Sequence, residues 1–157
     1  MYKNYLNIYN NLIKLTRNKS IYENIGNKDT FSTRMIIFLF HFAFFLKIYK
    51  LHSDKKTLQD IYDFIFKQID LSIREIGYGD QSVNKEMKVY INTLYSIIDK
   101  VELWDDFNDS KKEVFLKNFL SSDEDMSFLN DYFTKYQSFL KNNSLNYFTK
   151  VIKNHKF

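Results

Sequence analysis

No cysteine and no proline occur in these 157 residues, and glycine occurs only three times. The missing cysteine excludes a disulfide framework and any thiolate metal site, and it leaves the redox compartment open. Without proline and with little glycine, turns are sparsely punctuated and long helices are favoured. Histidine is scarce as well. His41, His52 and His155 are scattered, and no Glu-x-x-His pair exists, which speaks against a metal site in a helical bundle. Gly77-Tyr78-Gly79 follows a helical pattern rather than a strand and lacks a lysine-serine ending, so it is not a phosphate loop. No Ser-His-acid set can be argued from spacing. The composition points away from an enzyme, and no metal or other cofactor is expected.

Membrane signals are thin. Residues 5–17 are too polar, and too poor in arginine, for a secretory signal or a transit peptide. Met35 to Leu46 contains no Lys, Arg, Asp or Glu. Twelve helical residues rise about 18 Å, against roughly 30 Å for a bilayer core. Flanked by Arg34 and Lys47, this stretch reads as a central core helix, apolar nearly all round because other helices surround it.

What is abundant is aromatic: 16 Phe and 12 Tyr, 18% of residues with the single Trp. That is ample core material. Charge is uneven around a net of +4. Residues 1–55 carry nine Lys/Arg against three Asp/Glu, residues 56–104 carry six against eight, and residues 105–157 are balanced. Beyond Asp131 only lysines follow. Two basic ends flank an acidic middle, read either as a soluble surface with uneven charge or as ends that favour phosphate-rich partners such as anionic lipid, RNA or a ribosome surface.

Period-3.6 patterning runs through most of the chain. Leu6, Tyr9, Leu12, Ile13 and Thr16 share a face. Residues 18–33 read as polar and irregular, with Asp29–Thr30 as cap material. Ser53 or Asp54 caps a helix from Thr57 to Ile76, which turns Leu58, Ile61, Tyr62, Ile65, Ile69, Ile73 and Ile76 inward. Its outer face offers the i,i+4 pairs Asp63–Lys67 and Asp70–Arg74. Another helix runs from about Gln81 to Trp104 with Val83, Met87, Tyr90, Ile91 and Leu94 inward. Ser110 with Glu113, and Ser121 with Glu124, have capping-box spacing and mark two further starts. Leu145 to Lys153 reads as a short last helix. The expected fold is all-α: a single compact domain, residues 1–157, of about six or seven helices around a central hydrophobic helix.

Between the Thr57 and Gln81 helices lies IREIGYGDQSV, with two of the three glycines. Gly77 falls where a helix C-terminus needs a left-handed residue, and Asp80 and Ser82 offer oxygens to the next helix's open amides. Gln59, Asp63, Phe66, Asp70, Arg74, Glu75, Gly77, Gly79, Asp80, Ser82, Val83, Lys85 and Lys88 form an ordered pattern without a gap. Upstream, Arg17, Tyr22, Gly26, Asp29, Thr30, Arg34 and His41 keep the same register. Over Arg17 to Tyr95 this resembles the ubiquinol–cytochrome c chaperone family, the assembly factors for cytochrome b of the respiratory bc1 complex. The chain departs from the family pattern at Asn18–Ser20, where a proline is usual, at Met35–Ile36 and at Ser96–Ile97.

The resemblance implies a non-enzymatic assembly factor without a cofactor or small-molecule substrate. Its client would be newly made cytochrome b, with a second assembly factor and the ribosome as further partners. It would sit peripherally on the cytoplasmic face of a bacterial-type inner membrane, or on the matrix face in a mitochondrial setting. The alternative from another class is a helical adaptor that binds a ribosome or RNA surface through its basic ends. Candidate partner contacts are Arg34, His41, Asp70, Arg74, Glu75, Gly77, Gly79, Asp80, Lys85 and Lys88. Arg34 and His41, two turns apart on one stripe, are expected to find Asp63 and Asp70 as partners, because an unpaired buried charge costs several kcal/mol.

Overall fold

An uncharged, aromatic stretch can be stable in water only if other elements cover it. The computed structural model, which describes residues 2–26 and 29–150, covers it with helices. In order they are α1 (Tyr2–Thr16), α2 (Lys19–Glu23), α3 (Phe31–Tyr49), α4 (Lys55–Glu75), α5 (Asp80–Glu102), α6 (Asp109–Leu120), α7 (Ser127–Asn142) and α8 (Leu145–Phe148), with a 3-10 turn at Trp104–Asp106. No strand occurs among the described residues. The all-α expectation and the central hydrophobic helix both hold.

α3 is longer than its uncharged centre. The Thr30 side chain accepts from the Thr33 amide at 3.2 Å and so opens the helix ahead of Arg34. Its 19 residues make it long and apolar enough to cross a membrane by length and composition. Here twelve of them are buried, and α1, α5, α6 and α7 pack around it. Phe42 meets Tyr62 and Phe66 of α4 at 6.3 and 6.5 Å, which completes the ring of neighbours.

Aromatic rings fill the far side of α3. Phe44 stacks on Phe133 of α7 at 5.5 Å and takes Trp104 edge-on at 5.4 Å. Phe40 packs against Phe115 of α6 at 5.2 Å and Phe133 at 5.3 Å. Offset and edge-on geometries of this kind add about 0.5–1.5 kcal/mol per pair beyond the area they bury.

The two ends of the described chain also meet. Buried Asn11 of α1 donates from Nδ2 to the carbonyls of Phe148 and Lys150, at 2.6 and 2.7 Å. Phe148 is itself fully buried, 5.1 Å from Phe45.

Several local expectations are corrected. The stretch taken as irregular contains α2, capped by Asn18. Asn108, not Ser110, caps α6, accepting from the Lys111 amide at 2.8 Å. Ser121 ends α6 in the left-handed region, φ 49°, rather than starting α7. The Ser127 amide at the start of α7 bonds to Asp125 instead, at 2.8 Å. α5 stops at Glu102, and Trp104 begins the 3-10 turn. α8 closes at Phe148, and the remainder of the expected last helix beyond residue 150 lies outside the described residues.

Candidate functional site at the α4–α5 corner

Gly77 adopts φ +108°, a region that L side chains avoid, so the glycine expected at this position is required by the backbone. Its amide still bonds back to Arg74 O at 3.0 Å, which finishes α4. Gly79 then opens α5 as N-cap with extended backbone and no side-chain cap, while the Val83 amide donates to its carbonyl at 2.9 Å.

Asp80 therefore does not cap α5, and neither does Ser82. Asp80 lies in the first helical turn, where a carboxylate suits the helix dipole. Its carboxylate is taken by Arg74 Nη1, and Arg74 Nε donates to Asp70 at 2.7 Å. One guanidinium thus spans the last turn of α4 and the first turn of α5. The hydrogen bond that Arg74 donates to Asp70, then that to Asp80, raises the Arg74 pKa above its usual value. Arg74 and Asp80 are open to water, so this bridge sets geometry more than it adds stability.

Asp70, Arg74, Gly77, Gly79 and Asp80 are brought together at the corner. Glu75 flanks them, and Lys85 and Lys88 follow exposed on α5. Three apolar side chains stand out between Leu71 and Tyr78. Leu71 is 44% exposed, Ile76 53% and Tyr78 43%. Ile76 was expected inward, but it sits at the C-cap where α4 has already left the core stripe. Leu71 and Tyr78 gave no local signal, since a single exposed apolar residue carries no pattern. The corner thus sets exposed apolar groups beside charged ones.

The other two candidates lie elsewhere. Arg34 is exposed and forks onto Asp29 just ahead of its helix, at 2.5 and 3.0 Å. His41 is fully buried, with Nδ1 2.8 Å from Ile37 O and Nε2 2.6 Å from the Tyr132 hydroxyl. The expected network with Asp63 and Asp70 does not form. Asp63 accepts from Gln59 at 2.8 Å, and Asp70 is committed to Arg74. His41 serves the core, and no client can touch it in this structure. No group of three or more potential metal donors occurs among the described residues.

The fold is that of an all-helical protein with an exposed, braced corner. Residues 23–134 match the family model described as Ubiquinol-cytochrome C chaperone, more than two thirds of the chain, and the chain belongs to this family of chaperones for ubiquinol–cytochrome c reductase assembly. Membership implies a binding role rather than catalysis. The match reaches into α7, further than the residue-by-residue likeness ending at Tyr95, and it begins after Arg17 and Tyr22. No curated protein and no solved structure matches the chain.

Replacing Gly77 by alanine is expected to destabilise by about 1–2 kcal/mol. A Cβ there would meet nothing within 4 Å, so the cost is conformational, and Gly77→Val should be worse. Urea midpoints equal to wild type would show that the glycine serves something other than the backbone.

Proposed function

We propose that this chaperone captures newly made cytochrome b and supports assembly of the bc1 complex, with the α4–α5 corner as its client contact. The supporting observation is the exposure of Leu71, Ile76 and Tyr78 within a rigid, charge-rimmed turn that falls inside the matched family region. The role is binding alone, carried out peripherally at the inner face of an energy-transducing membrane. A second assembly factor and the ribosome are the further partners that fit such a role. The adaptor alternative has only the basic ends to rest on.

Deleting the protein should lower assembled cytochrome b and ubiquinol–cytochrome c reductase activity while the cytochrome b message persists. Normal reductase levels in the deletion strain would remove the assignment. Lys85→Glu with Lys88→Glu alters two exposed side chains and should leave the fold intact. The double variant should nevertheless fail to restore full reductase levels. Full rescue by that folded variant would move the client contact away from the corner, to the aromatic helices after Ser110.

A further inference from the structure

A cleft of about 200 Å³ opens between α1, α3 and α4, on a different side of α4 from Asp70 and Arg74. Its floor and lip are apolar, with Ile13 from α1 and Phe31, Met35 and Phe38 from α3. Phe31 is 38% exposed although it is the first residue of the core helix. Arg17 and Arg34 line the same cleft. Asp29 occupies two hydrogen bonds of Arg34, whereas the Arg17 guanidinium has no side-chain partner among the described residues.

The helix that forms one wall is basic on its outside. Lys3, Asn10 and Lys14 are exposed along one stripe, Arg17 continues it in the turn, and Lys19 opens α2. No acid precedes Glu23 in the chain. The volume is below the ~300–1,000 Å³ of a pocket that encloses a small molecule. A cleft of this size has room for part of a larger ligand only. The ligand must join a negative head, for Arg17 and the lysines, to an aliphatic segment, for the floor. A nucleic-acid backbone would satisfy the cations but has no aliphatic segment to offer.

We infer that this cleft and the outer stripe of α1 dock the protein on a membrane by seating an anionic phospholipid, its phosphate at Arg17 and the adjoining part of an acyl chain against Ile13, Phe31 and Met35. This deepens the membrane-side placement proposed above. Its test uses no cytochrome b, so its failure leaves the client reading untouched.

The experiment is co-sedimentation of the purified full chain with phosphatidylcholine vesicles, with and without added phosphatidylglycerol. Binding should require the anionic lipid. Lys14→Glu with Arg17→Glu should lower partitioning by about tenfold or more. Phe31→Ser, which leaves the charge unchanged, should weaken it too. Lys111→Glu on α6, which packs on α7 and α3 instead, should bind as wild type. Circular dichroism confirms that each variant is folded. Equal binding to neutral vesicles, or none to anionic ones, overturns the inference. So does an equal loss from Lys111→Glu, which would make the attraction diffuse. Binding of inorganic phosphate or of single-stranded RNA in preference to anionic vesicles would assign the cleft to a free anion or to nucleic acid and would equally overturn it.

Discussion

Replacing Phe44 by alanine is expected to cost about 3–5 kcal/mol, the range for removing a large buried aromatic side chain. Phe44 is fully buried on α3, and its ring touches three aromatic rings on two other elements. It stacks on Phe133 of α7 with an interplanar angle of 13°, meets Trp104 of the 3-10 turn edge-on, and meets Tyr136 at 6.2 Å. Trp104 and Phe133 are also fully buried and cannot shift into the gap without vacating their own places. A cavity therefore remains, and its cost adds to the lost transfer energy. Since a domain of this size is stable by only about 5–15 kcal/mol, the variant should lose a large share of its stability. Urea unfolding measures it. A loss below about 1 kcal/mol would mean that these helices collapse freely around the missing ring.

Acid should destabilise the protein well above the pH at which its carboxylates titrate, and His41 is the reason. The Ile37 carbonyl can only accept, so Nδ1 carries the proton and Nε2 accepts from the Tyr132 hydroxyl. Burial lowers the His41 pKa from 6.5 to about 3, outweighing the bond to Ile37, which raises it. Below 6.5 the unfolded chain takes up a proton that the native state refuses. Stability is complete above that pH and falls as pH drops toward 3, by ~1.4 kcal/mol per unit, or roughly 2 kcal/mol by pH 5. Carboxylates held low in the native state, such as Asp105 with Gln137 and Lys47, add their own losses only at lower pH. Urea midpoints at pH 7 and pH 5 should differ in wild type, and the difference should shrink in His41→Phe. An undiminished difference in that variant would assign the acid dependence to another group.

The parts of the fold that could be read in advance are those written in neighbouring residues. α3 was legible because no charge interrupts Met35 to Leu46. The Gly77 turn was legible because few other residues tolerate its φ. Caps were harder, since Asn108, Asp109 and Ser110 stand side by side and any of them can accept from an open amide. Asp80 was misread as a cap because its actual partner, Arg74, reaches it across the turn. Arg34 was misread for its spacing. Two turns from His41 it shares that residue's stripe, but it stands in the first turn of α3, where the helix emerges from the core and Asp29 is at hand. The partner of His41 is 91 residues away, and no local pattern announces a contact of that separation. The exposed apolar residues of the corner escaped for the same reason, because exposure is settled by which helices come to lie nearby.

The Asn11 amide imposes an order in time. α1 is translated before α8, and the carbonyls that its buried amide binds belong to residues made 137 and 139 positions later. Closing so long a loop is slow and entropically costly, and it cannot begin until both acceptors have left the ribosome. Until then α1 lacks these two bonds. A segment made early is thus fastened by one made much later, through a single buried amide.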